Sequence, residues 1–264
     1  EIDYLELSHQ LCLKANPVFN IQSNFYYDEI ISKQFNKIKF KESFNPKSDF
    51  NNQKHLFIIG LPRSGSSLVE TLISHNGKNI KSVGEFHGIN NSILEQIKDI
   101  IYSKNFDYKK FEFKIDRNKF QNSLLEKYDI LERNTFLDKS LENFFNIEII
   151  LQFFPNAKFI HTYRDYKDSV IGIYLTMLPE LSWCHKIQDI TNYIENYENT
   201  IYYFKRKYPN KIIDVDLRKL TEKKDIETKR ILEFCEIEFN KNYLDFELNE
   251  NLFNKTNSFL QVRE

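Results

Sequence analysis

The chain has 264 residues, 41% of them hydrophobic and 15% aromatic, which excludes a globally disordered protein. Lys and Arg number 37 against 38 Asp and Glu, so the formal net charge is -1 and the basic excess typical of a general nucleic-acid binder is missing. Three widely spaced cysteines fit no zinc-site spacing and favour reduced thiols in a cytoplasmic protein. No apolar run is long enough to cross a bilayer, and there is no signal peptide. Because the chain opens at Glu1 rather than at a methionine, we expect a fragment that could lack an upstream anchor or domain.

Residues 1–40 predict helices that carry no obvious chemistry. Apolar side chains from Tyr4 to Leu13 form a rough face that ends before Pro17, and a second helix is expected from Tyr26 to Ile38. A polar stretch over residues 45–54 reads as a linker. We therefore expect a helical segment and linker over residues 1–50 and one larger domain over residues 51–264.

Short apolar strands alternate with helices in the larger domain. The expected strands cover residues 55–59, 135–138, 157–162 and 211–215, and the expected helices cover residues 66–75, 89–102, 119–133, 141–154, 167–178, 187–207 and 226–235. This alternation predicts an α/β fold of the P-loop type, a largely parallel sheet flanked by helices, with the N-terminal helical segment added to it. Ligands of such sheets bind beyond the carboxyl ends of the strands.

The first predicted strand leads into a glycine-rich loop, Gly60-Leu-Pro-Arg-Ser-Gly-Ser-Ser67. Its two glycines permit a tight turn that directs backbone N–H groups and a helix N-terminus at one anion. The spacing matches a nucleotide P-loop, but Ser66 stands where that motif has its lysine. Arg63 supplies the cation instead, with serine hydroxyls around it, which suits an anion held without a metal. The alternative interpretation is a strand-to-helix turn with incidental glycines.

Residues 62–68, followed by Gly84-Glu85, resemble the phosphosulfate-binding loop of sulfotransferases. The likeness is to the protein-tyrosine sulfotransferases and to the bacterial sulfotransferases fused to tetratricopeptide repeats, and it extends from about His55 to the end of the chain. It implies an enzyme that moves a sulfuryl group from 3′-phosphoadenosine 5′-phosphosulfate to an acceptor hydroxyl, such as a tyrosine of a peptide or protein. Residues 1–40 would then be the tail of a repeat region. The loop residues implied to bind the donor are Pro62, Arg63, Ser64, Gly65, Ser66, Ser67 and Leu68.

A second anion site is predicted where Arg164 follows the strand over residues 157–162. A guanidinium there can fork onto a phosphate, and the resemblance assigns it the 3′-phosphate of the donor. The family's serine two turns further on is Gly172 here, which leaves only a backbone contact unless Ser169 compensates. The alternative is that Arg164 pairs with a neighbouring aspartate, Asp165 or Asp168, at the surface.

The residues expected to act in transfer are also implied by the resemblance. Glu85 matches the carboxylate that takes the acceptor proton, and Lys139 the lysine that neutralises the bridging oxygen. His87 is an alternative base, because its intrinsic pKa suits proton transfer near neutral pH. No metal site is expected.

Residues 256–263 resemble the closing loop of the family. By that likeness Ser258 bonds the transferring group, while Gln261 and Arg263 contact the donor. Leu217 is a departure, since relatives often carry an aromatic hydroxyl at its position.

Two rival functions stay open at this point. A nucleoside-triphosphate phosphotransferase would use the same loop, but Ser66 replaces its lysine and no clear magnesium carboxylate follows a strand. A non-catalytic binder of the same fold is favoured by Gly172 and Leu217.

Overall fold

Five parallel strands form the larger sheet of the computed structural model, which describes residues 2–41, 54–107, 110–127 and 135–239. The described strands are β1 (Lys39–Phe40), β2 (Leu56–Gly60), β3 (Ile80–Gly84), β4 (Lys114–Ile115), β5 (Thr135–Asp138), β6 (Lys158–Tyr163) and β7 (Ile212–Asp216). The larger sheet has the order β3-β5-β2-β6-β7, while β1 and β4 pair separately, also in parallel.

Helices connect these strands and cover the sheet on both faces. The described helices are α1 (Ile2–Ala15), α2 (Pro17–Phe25), α3 (Ser32–Gln34), α4 (Ser66–Asn76), α5 (Gly88–Ile101), α6 (Arg117–Lys127), α7 (Ile147–Phe153), α8 (Tyr166–Thr176), α9 (Ile187–Lys207), α10 (Leu217–Glu222) and α11 (Lys224–Phe234). A π-helical turn at Tyr26–Ile31 and 3₁₀ turns at Leu141–Asn146 and Ser182–His185 complete the list for the described residues.

The central strand β2 explains why the sheet is parallel and buried. All five of its residues are buried, and they alternate between two apolar clusters. Phe57 and Ile59 face the larger cluster, while Leu56 and Ile58 face the smaller one. A strand that is apolar on both faces needs cover on both faces, which the α/β arrangement provides. The predicted fold class is confirmed.

The parallel register brings the functional segments together. We call the glycine-rich loop over residues 60–67 the donor loop, after the resemblance of its sequence to the phosphosulfate-binding loop. This loop follows β2, Glu85 follows β3, Lys139 follows β5 and Arg164 follows β6. Because the strands run in the same direction, these four points lie along one edge of the sheet. The strand order places β2 directly between β5 and β6.

Several predicted elements differ in the structure. The strand β3 was missed because Ile80-Lys-Ser-Val-Gly84 is only partly buried and gives a weak apolar signal. The helix expected from residue 141 to 154 begins as a 3₁₀ turn and becomes α-helical only at Ile147. The helix expected over residues 26–38 ends at Gln34 and is followed by β1, which pairs with β4.

The N-terminal segment packs onto the main core of the described residues. Tyr26, Ile30, Ile31 and Phe40 belong to the same apolar cluster as β2 and β6. The expected domain division at residue 50 stays a prediction. None of the helices in the described ranges combines the length and hydropathy that a bilayer crossing requires.

Candidate active site

The donor loop is shaped by close packing at its two glycines. A Cβ on Gly60 would lie 2.3 Å from the backbone oxygen of Thr162, so β2 can approach β6 here only without a side chain. Gly65 is the N-cap residue just before α4 and has a φ of +87°, which favours glycine. A Cβ on Gly65 would lie 2.5 Å from Leu217 Cδ1. Leu217 thus packs against the loop, where the sequence had suggested only a departure from the family pattern.

The serines of the loop have different surroundings. The buried hydroxyl of Ser64 shares a 2.7 Å hydrogen bond with Thr162, which ties the loop to β6. The Ser64 hydroxyl is therefore engaged within the fold. The group that Ser64 can offer to an anion is its backbone N–H. Ser66 and Ser67 form the first turn of α4, where N–H groups lack helical partners and favour an anion.

Two arginines converge beside this loop. Arg164 Nη1 donates to the backbone oxygen of Arg63 at 3.4 Å. A Cβ on Gly172 would lie 3.5 Å from Arg164 Nη1 and 3.6 Å from Arg63 Cβ, so all three residues meet at one point. Burial and the nearby charge of Arg164 both lower the pKa of the Arg63 guanidinium. Two like charges this close favour an anion between them.

The alternative contact of Arg164 also exists. Its Nη2 lies 3.3 Å from Asp168 Oδ2, one turn along α8. Asp165 instead caps α8 by accepting from the backbone N–H groups of Lys167 and Asp168. Arg164 therefore contacts Asp168 and the donor loop in the same conformation.

Ser169 has a hydrogen-bond partner at the residue that precedes α8. Its buried hydroxyl donates to the backbone oxygen of Asp165 at 2.9 Å, a bond within the first turns of α8. The hydroxyl is used locally in this conformation, and the idea that Ser169 compensates for Gly172 stays a prediction.

A cavity of about 560 Å³ adjoins Arg164 on the side of α8 and α9. Tyrosines 163, 166, 197 and 202 contribute to its walls, and Lys205 and Arg206 add positive charge. His161 also lines this cavity, where its Nδ1 forms a 2.7 Å hydrogen bond with Asp214 and its Nε2 contacts the hydroxyl of Tyr197. Burial raises the pKa of Asp214, but hydrogen bonds from His161 and Lys205 outweigh it and lower the value to about 2.

The other end of the sheet edge carries an ion pair between a buried lysine and an exposed glutamate. Lys139 Nζ donates to Glu85 Oε1 at 2.5 Å, and it lies 3.5 Å from Glu70 Oε2. The Lys139 side chain is 0% exposed, whereas that of Glu85 is 47% exposed and open to an incoming molecule. The backbone N–H of Lys139 also donates to Gly84, which fixes the two strand ends to each other. Glu85 therefore lies directly after β3, in hydrogen-bonding contact with a buried lysine.

His87 has a partner that disfavours its role as a base. Its Nδ1 lies 2.5 Å from Glu142 Oε1, and this hydrogen bond raises the pKa of His87 from 6.5 to about 9. An imidazole with that pKa is protonated at neutral pH and has no free lone pair for an acceptor proton. The geometry thus favours Glu85 over His87.

Three further predicted site residues, Ser258, Gln261 and Arg263, lie outside the described residues.

A sequence profile of the sulfotransferase family matches residues 55–241, which include the loop, both arginines and the ion pair of Lys139 and Glu85. The chain belongs to the sulfotransferase family. Members of this family are transferase enzymes, so the family match also supports an enzymatic function.

Solved sulfotransferase structures share the fold of this family member at low sequence identity. The sulfotransferase domain of the Synechococcus PCC 7002 olefin synthase is 16% identical, with a TM-score of 0.55 over 84% of this chain and 86% of its own. The sulfotransferase domain of the curacin biosynthetic pathway is 12% identical, with a TM-score of 0.54 over 80% and 87%. A sulfotransferase from Mycobacterium tuberculosis H37Rv is 9% identical, with a TM-score of 0.52 over 89% and 79%.

A curated relative extends well beyond this sulfotransferase chain. An uncharacterized protein of Aquifex aeolicus (strain VF5) is 21% identical over an alignment 280 residues long, gaps included, which covers 99% of this chain and 36% of the relative. The chain thus spans about a third of that protein's length.

Sequence reasoning missed two acidic residues at the candidate site, Glu70 and Glu142. Glu70 is four residues after Ser66 on α4, so its side chain lies on the helix face that continues from the donor loop, a signal that was available. Glu142 gave no such signal, because it contacts His87 only through the folding of two distant segments.

Proposed function

We propose that this chain transfers a sulfuryl group from 3′-phosphoadenosine 5′-phosphosulfate to an acceptor hydroxyl. The observation that carries the proposal is the arrangement along one sheet edge. Four neighbouring strands of the sheet, β3, β5, β2 and β6, end in turn at Glu85, at Lys139, at the donor loop and at Arg164. The pair of Lys139 and Glu85 thus lies on one side of the loop, and Arg164 lies on the other.

The donor would lie along this edge with its charged groups on the two cationic points. The loop from Pro62 to Leu68 offers backbone N–H groups, the side chain of Arg63 and the first turn of α4 to the 5′-phosphosulfate. Arg164, with the backbone of Gly172, would take the 3′-phosphate. Gln261 and Arg263 are assigned to the donor by resemblance.

The chemistry assigns one role to each charged group at the transfer site. The acceptor oxygen forms a bond to sulfur while the bond from sulfur to the bridging phosphate oxygen breaks. The acceptor proton passes to the Glu85 carboxylate, and the negative charge that develops on the leaving oxygen is neutralised by Lys139. Ser258 would bond the transferring group. The products are a sulfate ester and adenosine 3′,5′-bisphosphate, so atoms and charge balance.

The acceptor class and the domain context are further parts of the proposal. We assign the acceptor hydroxyl to a tyrosine in a peptide or protein, residues 51–264 to the sulfotransferase domain, and residues 1–50 to the end of a tetratricopeptide-repeat region. These assignments are supported by the motif likeness at residues 62–68 and Gly84-Glu85. A cytoplasmic location stays a prediction from the cysteine pattern.

Calorimetry and a transfer assay together test the proposal. Adenosine 3′,5′-bisphosphate is titrated into the chain, and transfer from ³⁵S-labelled donor is then measured with tyrosine peptides, sugars and small alcohols, with and without a chelator. We expect binding, transfer to at least the tyrosine peptides, and no loss of rate with the chelator. Binding without transfer to any acceptor would identify a non-catalytic binder. A rate that requires magnesium and a nucleoside triphosphate would identify the phosphotransferase instead.

A further inference from the structure

Lys139 has a second acidic neighbour that the proposed chemistry does not use. Glu70 lies on α4 with its side chain only 10% exposed, and its Oε2 is 3.5 Å from Lys139 Nζ. Its other oxygen, Oε1, accepts a hydrogen bond from the hydroxyl of Ser82 on β3. The carboxylate is thus fixed on one side by the sheet and directed on the other side at the ammonium group.

The burial of Lys139 makes that second contact significant. A lysine side chain with 0% exposure cannot be solvated by water, so its charge depends on the anions around it. In the structure, Glu85 is the nearer of the two, at 2.5 Å. During transfer, however, Glu85 gains the acceptor proton and becomes neutral, so the nearer ion pair disappears at the step in which the lysine must be charged.

Without another anion nearby, the ammonium group of Lys139 would then be an uncompensated buried charge, which is energetically costly. The site therefore needs a second carboxylate that is not itself a proton acceptor in the reaction, so that the ammonium keeps an anionic partner until negative charge develops on the leaving oxygen. Glu70 fits that requirement because it is held by Ser82 and shielded from the acceptor by its burial.

We propose that Glu70 is a positioning residue that compensates the buried charge of Lys139 and keeps its ammonium group directed at the leaving oxygen while Glu85 carries the acceptor proton. This inference rests on the proposed sulfuryl transfer. The placement of Glu70 four residues after Ser66 on α4 also links the orientation of Lys139 to the helix that begins at the donor loop.

Kinetics of three variants test the role in turnover. Glu70→Gln should lower kcat about tenfold to a hundredfold, the size of effect seen when a group that orients a functional side chain is removed. The KM for the donor should change less than about twofold, because Glu70 does not contact the donor in the proposed arrangement. Glu70→Asp should recover part of the loss, and Ser82→Ala should show a smaller loss of the same kind. Glu148→Gln is the matched control, because Glu148 is another nearly buried carboxylate paired with a lysine, Lys207, away from this edge. Its kcat should be unchanged.

A thermal-unfolding cycle tests the pairing without any need for turnover. Melting temperatures are measured for the wild type, Glu70→Gln, Glu85→Gln and the double variant. Each single variant leaves Lys139 one carboxylate, whereas the double variant leaves a buried ammonium with none. We therefore expect the double variant to lose more than the sum of the single losses.

The two experiments separate failure of this inference from failure of the proposed function. Additive losses of melting temperature, or an unchanged kcat for Glu70→Gln in an active enzyme, overturn the role of Glu70 alone. A wild type that binds the bisphosphate but sulfates no acceptor overturns the proposed function, and the unfolding cycle still decides whether Glu70 compensates the charge of Lys139.

Discussion

The two ends of the candidate site are built differently. We name the two ends after their proposed roles: the transfer end contains Lys139 and Glu85, and the nucleotide end contains Arg63 and Arg164. At the transfer end, Lys139 is wholly buried and held by two carboxylates, with a shortest contact of 2.5 Å. At the nucleotide end, the side chain of Arg164 is 30% exposed, and its contacts with Asp168 and Arg63 are 3.3 and 3.4 Å. A group that must stabilise charge during a reaction is most effective when it is already oriented and shielded from water, whereas a group that recruits a soluble anion must be accessible.

Removing the buried cation should have the largest combined effect, because it lowers stability as well as turnover. In Lys139→Met, Glu70 keeps its burial but loses its cation, so we expect a stability loss of about 3 kcal/mol. Turnover should fall by about 10²–10³ through loss of charge stabilisation at the leaving oxygen. Denaturant unfolding and single-turnover transfer measure the two effects. Lys229→Met, at an exposed lysine of α11, serves as the control and should change neither. Wild-type turnover in Lys139→Met would contradict the role of this end.

Neutralising the base should affect turnover but not binding. Glu85→Gln is expected to lower kcat by about 10²–10⁴, the usual contribution of a positioned general base, with unchanged affinity for adenosine 3′,5′-bisphosphate. Transfer assays and calorimetry on the same sample measure both quantities. If the variant kept full activity, another group would have to take the proton, and His87 would be the next to test.

The nucleotide end should show the opposite pattern. Arg63→Ala and Arg164→Ala are each expected to weaken binding of the bisphosphate about tenfold or more, because each removes a charge-assisted hydrogen bond to the donor. Calorimetry gives the affinities, and kcat at saturating donor should fall much less than in Glu85→Gln. Unchanged affinity in both variants would mean that the donor does not use this end.

Gly172 offers a way to strengthen the nucleotide end. A Cβ at this position meets Arg164 and Arg63 only at ordinary contact distances of 3.5 and 3.6 Å, so the first side-chain carbon of a serine fits without displacing either residue. Gly172→Ser should therefore tighten bisphosphate binding a few-fold, by about 1 kcal/mol for one added hydrogen bond. Gly172→Ala is the matched control, since it fills the same space without the hydroxyl. Equal affinities of the two variants would contradict the assignment of this site to a phosphate.

The smallest expected effect is a pH dependence of the stability contributed by the pair of His87 and Glu142. The hydrogen bond to Glu142 raises the pKa of His87 from 6.5 to about 9. The stability contributed by this pair is fully present below about pH 6.5 and is lost as the pH rises through about 9. Melting temperatures from pH 6 to pH 10 should therefore show a wild-type advantage over Glu142→Gln that shrinks at high pH. A constant difference would mean that His87 does not titrate in this window.

Much of the nucleotide end could be predicted from local sequence. The loop from Gly60 to Ser67 combines a buried strand, two glycines and a helix start within a few residues, and Arg164 follows an equally clear strand. These features are encoded by neighbours in the chain. The α/β class followed from the same alternation of strands and helices.

The transfer end was harder to predict because its contacts join distant segments. The strand β3 before Glu85 has a mixed polar pattern, so its residues did not mark Glu85 as the end of a strand. Glu70 on α4, Ser82 on β3 and Lys139 after β5 meet only through the order of the sheet. The same holds for His87 and Glu142, which are 55 residues apart.

The sequence by itself determined the parallel sheet, the glycine-rich loop between β2 and α4, and the identity of the residues that carry charge. Only the tertiary structure decided that Lys139 is buried between two carboxylates and that His87 is paired. The physical reason is that periodicity and turn chemistry act between neighbouring residues. Burial and ion pairing are set instead by which strands lie side by side.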